Sequence, residues 1–246
     1  MTAVIGTGSM AESIIRGLAG KRELAVAGRD KRRLAELAER YGVRTAKIDG
    51  FGIEGADVIL AVKPHALADV AKRVRGRAAT LHSVLAGTPL AALREALSAE
   101  RYIRAMPNIA AAHGASVTAL TGDEAARERA EELFGAIGET LWLDSEAKLD
   151  AATAIAGSGP AFLALVAEAL ADGGVACGLS RDEAAALTAG LFRSYAALAD
   201  EPPAKVKDRV MSPAGTTAAG YGALEERGVR GAFIEAVKRA FERTKR

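Results

Sequence analysis

"TAVIGTGSMA", residues 2–11, runs from a short apolar stretch into Gly6-Thr7-Gly8-Ser9-Met10-Ala11 and then into the helical pattern "MAESIIRGLAG". Strand, glycine-rich turn and helix, in that order, are the setting that a G-x-G-x-x-[G/A] motif needs to act as a dinucleotide site. The glycines permit a tight turn and close backbone approach, and the free N–H groups at the helix start suit a pyrophosphate. The rest of the N-terminal half keeps the same rhythm. "ELAVAG", "ADVILAV", "ATLHSVLAG" and "RYIRAMP" read as strands, and "DKRRLAELAERYG" and "TPLAALREALS" as helices, with Thr88 and Pro89 as cap and first residue of the latter. Alternation of this kind predicts an α/β fold, a parallel sheet with helices on both faces. "ASVTAL", a helix over about 123–136 and "TLWLD" extend this Rossmann-like domain to residue 144.

Beyond Ser145 the strand signals stop and Ala-rich helical patterns fill residues 145–246. Ser180 and Glu183 form a capping-box signature, S-x-x-E, ahead of a helix with Leu187, Leu191, Phe192, Tyr195 and Leu198 on one face. Phe233, Ile234, Val237 and Phe241 repeat the pattern near the C-terminus. Small side chains let helices approach closely, and a second copy of the chain suits such a surface.

Composition narrows the function. Lys and Arg number 33 against 31 Asp and Glu, too even a balance for a nucleic-acid or membrane-surface partner. Cys177 is the single cysteine, so no internal disulfide forms and a reducing, cytoplasmic setting is expected. No apolar sequence run has the length of a membrane span, "FLALVAEALA" being interrupted by Glu168. His65, His82 and His113 are scattered without metal-ligand spacing to Cys177, and no metal is expected.

The end of the second strand selects the cofactor. An acidic residue there suits the ribose 2′-hydroxyl of NAD, whereas Arg suits the 2′-phosphate of NADP. "VAGRDKRRL" places Arg29 first. Asp30, just ahead of a helical pattern, suits an N-cap, and Lys31 and Arg32 suit a solvated helix face, so Arg29 carries the choice. NADPH is expected as the preferred cofactor, with NADH usable. Lys63 and Pro64 in "LAVKPHA" close another strand at the edge where open α/β sheets bind ligands, Pro64 suited to starting a helix and Lys63 either to the cofactor or to solvent. "VLAG", residues 84–87, ends the next strand at that edge.

These segments together resemble the pyrroline-5-carboxylate reductase family. The resemblance rests on "IGTGSMA", "AVKPH", "RAMPN" at 104–108, "AIAGSGPAF" at 154–162, "LADGGVACGL" at 170–179 and "KDRVMSPAGTTAAG" at 207–220. It implies NAD(P)H-dependent reduction of the cyclic imine 1-pyrroline-5-carboxylate to L-proline. It also implies a helical domain that intertwines with a partner into a homodimer, with decameric rings of dimers in some members. By the resemblance, Gly6, Thr7, Gly8, Ser9, Met10, Ala11, Arg29, Ala61, Val62, Lys63, Pro64, Ala86 and Gly87 line the NADP site. The loop with Ser212, Gly215 and Thr216 holds the substrate carboxylate on successive N–H groups, Thr217 hydrogen-bonds the ring nitrogen as the catalytic group, and Glu146 matches an acidic residue near the substrate. The chain departs from the family pattern at Arg29, often Ser in relatives, at Ile109 and the three alanines after it, and at Ala214 and Thr216, where Gly and Ala are common. A β-hydroxyacid dehydrogenase of similar architecture needs a catalytic Lys on an interdomain helix, which "GSGPAFLALVAEALADGG" does not supply. A non-catalytic NADP-sensing protein is the third reading.

Overall fold

The computed structural model describes residues 1–244. Eight strands form one sheet: β1 (Thr2–Ile5), β2 (Leu24–Gly28), β3 (Arg44–Lys47), β4 (Asp57–Leu60), β5 (Ala78–Ser83), β6 (Ala99–Met106), β7 (Ser116–Gly122) and β8 (Gly138–Trp142). Their order is β3-β2-β1-β4-β5-β6-β7-β8, parallel throughout except for the antiparallel β6–β7 pair. Helices α1 (Ser9–Leu18), α2 (Lys31–Tyr41), α3 (Leu67–Arg73), α4 (Leu90–Ala96) and α5 (Arg127–Gly135) connect them.

Alternation along each strand builds two cores. Val4, Val26 and Ile59 face one side with Ile14, Leu37 and Phe134, while Ile5, Val58 and Leu60 face the other with Val70, Leu81 and Leu93. Strands β1 and β4 are therefore buried at every position, which is why they read as unbroken apolar runs. The sequence did not announce β3, because this edge strand is polar and largely exposed. The start of α4 also differs from expectation. Pro89, not Thr88, is its cap residue, and the first free amide, that of Leu90, donates to Glu146 Oε1 at 2.8 Å.

Contacts divide the chain after Ser158, beyond the boundary at 144 that the change of rhythm suggested. The first unit thus keeps α6 (Glu146–Ala152) and the π-turn of Thr153–Gly157, because α6 buries Leu149 against Met106 and Ala119 of the sheet. The end of α11 (Val229–Thr244), from Ala240, belongs to the same unit.

The second unit, Gly159–Arg239, contains α7 (Gly159–Ala176), α8 (Arg181–Ala196), α9 (Pro203–Val210), α10 (Thr216–Glu226) and most of α11. The Ser180–Glu183 capping box is formed at the start of α8. Helices α7, α10 and α11 have no buried residue within the single chain, and Leu165, Leu187 and Leu191 are 64%, 63% and 52% exposed. One expectation is corrected here. The π-turn fuses α6 and α7 into a single helical run, Glu146–Ala176, long and apolar enough by length and composition to cross a membrane, with a mean hydropathy of 1.6 over its most apolar 18 residues. Interruption at Glu168 is too sparse to lower that average.

Candidate active site

A cleft of about 790 Å³ opens at the carboxyl ends of β1, β2, β4, β5 and β6, the edge where parallel α/β sheets bind ligands. The β1–α1 turn forms one wall. Gly6 adopts φ +131°, and a Cβ there would sit 2.3 Å from the carbonyl oxygen of Ala61, so no other residue fits between the two strands. Gly8 is the extended N-cap of α1, no side chain caps the helix, and the space a Cβ would take is open. The first N–H groups of α1 are thereby left for an anion in the cleft. These features fit a dinucleotide pyrophosphate.

Of the residues expected at the cofactor, Gly6, Thr7, Gly8, Ser9, Met10, Arg29, Ala61, Val62, Lys63, Pro64 and Ala86 line this cleft. Ala11 and Gly87 do not. Ala11 is fully buried in the core under α1, where a small residue lets helix and sheet pack closely, and Gly87 lies just past the lining. Pro64 opens a 3₁₀ turn, Pro64–Ala66, that leads into α3.

The charges around "GRDKRR" separate by role. Asp30 Oδ1 accepts from the amides of Arg32 and Arg33 at 2.9 and 3.2 Å, capping α2 as expected. Arg32 pairs with Glu36 along the helix. Arg33, Arg40 and Tyr41 converge on Glu12 of α1. Burial alone would raise the Glu12 carboxyl, but these partners hold it below its ordinary range. Arg29 remains at the rim of the cleft, 70% exposed, with only a 3.7 Å approach to Asp69. Asp69 is already committed to Arg73 at 2.9 Å, so the Arg29 guanidinium is available to a phosphate.

The other end of the cleft was largely missed from sequence. Met106 ends β6 and Pro107 and Ile109 follow it, while Thr153 and Gly157 come from the π-turn and Ser158 closes it, its amide donating to Thr153 O five residues back at 3.2 Å. The small residues of "AIAGSGPAF" were visible, but no periodicity announces a π-turn.

Glu146 is not among the lining residues. Its Oε1 accepts from Arg104 Nη1 at 3.0 Å as well as from the Leu90 amide, and Asp150 takes Arg104 Nη2 at 2.7 Å. Arg104 is 2% exposed, and a buried guanidinium demands such partners. These are the partners the structure gives Glu146.

In the second unit, residues 211–215 join α9 to α10. Ala214 takes φ +57°, a conformation that favours glycine. Gly215 donates to Ser212 O at 3.0 Å and is the N-cap of α10, with no side chain capping it. A Cβ on Gly215 would lie 2.3 Å from Ser212 Oγ. Thr216 and Thr217 open the helix, both exposed, and among the described residues neither hydroxyl has a partner. The loop therefore presents an uncapped helix start and two free hydroxyls together.

Known proteins resemble the two halves of the chain separately. A family model described as pyrroline-5-carboxylate reductase dimerisation matches residues 146–246, and one described as NADP oxidoreductase, coenzyme F420-dependent, matches residues 2–87. The chain is 40% identical to pyrroline-5-carboxylate reductase of Thermus thermophilus over 98% of its length and 96% of that protein's, and 38% identical to that of Pisum sativum over 98% and 93%. The solved structure of a pyrroline-5-carboxylate reductase from Coxiella burnetii superposes with a TM-score of 0.85 at 29% identity, covering 99% of this chain and 97% of that one. That of 1-pyrroline-5-carboxylate reductase from Streptococcus pyogenes gives 0.84 at 30% identity, covering 99% and 97%. On the match of residues 146–246 to the family model and on identities of 38–40% over nearly the whole chain, the chain belongs to the pyrroline-5-carboxylate reductase family.

Proposed function

We propose that this protein reduces 1-pyrroline-5-carboxylate to L-proline with NADPH, the cleft at the carboxyl ends of β1, β2 and β4 holding the cofactor. The observation that carries the reading is the pair of uncapped helix starts, at Gly8 and at Gly215, each a ready anion site. The α1 amides hold the pyrophosphate and Arg29 the 2′-phosphate. Bound NADPH supplies the hydride that the imine carbon accepts. Amides after Gly215 hold the substrate carboxylate, and the Thr217 hydroxyl hydrogen-bonds the ring nitrogen as it gains a proton and becomes an amine. Met106, Pro107 and Ile109 keep the far end of the cleft apolar. The apolar faces of α7, α8 and α11 are covered by a second copy of the chain, which accounts for the hydropathy of Glu146–Ala176 without a membrane. Rings of dimers are a further step of assembly on this reading, and a reducing, cytoplasmic setting suits the free Cys177.

The Thr217→Ala and Thr217→Ser pair tests the assignment. Loss of one aimed hydrogen bond in a closed site costs about 2–4 kcal/mol of transition-state stabilisation, so kcat of the Ala variant is expected to fall roughly 30- to 1000-fold. NADPH affinity and melting temperature are expected to stay level, and Ser to restore most of the rate. Wild-type turnover in Thr217→Ala removes Thr217 from the mechanism.

A further inference from the structure

The π-turn that walls the far end of the cleft needs a cause, because the i→i+5 ladder is rarely chosen by a helix left to itself. Sequence supplies part of it. Pro160, four residues after Ala156, has no N–H, so the Ala156 carbonyl lacks the donor an α-helix would give it. The missing donor comes from elsewhere in the first unit: Asn108 Nδ2 donates to Ala156 O at 3.1 Å. Asn108 is 8% exposed and held on every side. Its Oδ1 accepts from the Ala110 amide at 3.0 Å, and its own amide donates to Ser116 Oγ at 3.0 Å. An amide turned the other way would set oxygen against carbonyl oxygen and nitrogen against N–H, so both partners enforce one orientation. Through this one side chain the two wall segments, Met106–Ile109 after β6 and Thr153–Ser158 of the π-turn, are tied together behind the cleft surface.

We propose that Asn108 is a positioning residue, its side-chain amide standing in for the N–H that Pro160 lacks and thereby fixing the wall at the nicotinamide end of the cleft. The inference rests on the NADPH reading above, since Arg29 and the α1 amides place the phosphates at the opposite end of the lining. A wall displaced by even an ångström costs hydride-transfer geometry far more than cofactor affinity.

Asn108→Asp keeps the Oδ1 acceptor for Ala110 and replaces the donor by an oxygen facing Ala156 O. Asn108→Ser keeps a capping oxygen and cannot reach Ala156; it serves if the buried carboxylate prevents folding. Hydrogen exchange, read by mass spectrometry on peptides spanning residues 150–162 without cofactor, is expected to quicken roughly ten-fold or more at 154–158 and to stay unchanged in α1 and α2. In steady state, kcat is expected to fall roughly 10- to 100-fold while the NADPH dissociation constant moves by less than about three-fold. The primary isotope effect with NADPH deuterated at the transferred position is expected to rise as hydride transfer becomes limiting. Unchanged exchange at 154–158 in both variants overturns the proposal. So does a loss of NADPH affinity and melting temperature in step with kcat, which would make Asn108 a general structural residue. Failure of the unmutated protein to bind NADPH would instead fault the cofactor reading, leaving the exchange result to judge Asn108 on its own.

Discussion

Arg29 is the residue on which the proposed cofactor choice turns. It could be singled out in the sequence because it follows β2 directly, with Asp30 suited to a cap and Lys31 and Arg32 to a solvated helix face; the structure commits Asp30 to capping α2, Arg32 to Glu36 and Arg33 to Glu12. A bond between a guanidinium and a phosphate is worth about 1.5–3 kcal/mol, so Arg29→Ala is expected to cut the NADPH-over-NADH preference roughly ten-fold or more. The ratio of kcat/KM values for the two cofactors reads this, and an unchanged ratio contradicts it. The partners of Glu146 could not be read for the opposite reason. Sequence shows an acidic residue near a helix start, but not that a fully buried Arg104 on β6 and an uncapped amide at Leu90 both wait for it.

At the scale of elements, strands buried on both faces and helices with clear caps were readable, whereas β3 and the π-turn were not. The first has no apolar pattern to read, and the second is bonded from far along the chain, by Asn108 to Ala156. The interior of the sheet carries a second feature invisible in sequence. His82 on β5 is fully buried, its ring edge-on to Phe134 at 5.8 Å, with neither ring nitrogen hydrogen-bonded. Asp57 of β4 approaches it at 3.7 Å and is held by Arg129 of α5 at 2.6 and 2.8 Å. Burial pushes the imidazole below its ordinary value of 6.5, outweighing the attraction of Asp57. Burial would raise Asp57, but His82 and Arg129 bring it down to about 2. The unfolded chain thus takes up a proton at residue 82 that the folded chain resists. Stability is full above pH 6.5 and falls below it by about 1.4 kcal/mol per pH unit until the folded imidazole also protonates. The Asp57 contribution, present above 3.8, is lost only as pH drops toward 2. Urea unfolding at steps down from pH 7.5 checks this, the fall beginning near pH 6.5. His82→Leu is expected to flatten the curve across that range, and an equally steep curve in the variant places the acid sensitivity elsewhere.

For the whole molecule, the two-part organisation was legible in the change from alternating strands and helices to helices alone, although contacts carry the first unit through the π-turn to Ser158. What a single chain leaves unfinished is the second unit, where three helices bury nothing and large aliphatic side chains stay exposed. Sedimentation at micromolar concentration is expected to give at least twice the 25.4 kDa chain mass, with activity lost on dilution to monomer. A stable, active monomer contradicts it. The central claim is the reaction, and one assay decides it most directly: NADPH oxidation followed alongside L-proline formation, with 1-pyrroline-5-carboxylate set against a panel of keto acids and β-hydroxyacids. The expected result is one proline formed per NADPH consumed with the imine alone, and no turnover on the others. Turnover on a keto acid or hydroxyacid but not on the imine, or NADPH binding with no turnover on any substrate, would contradict it.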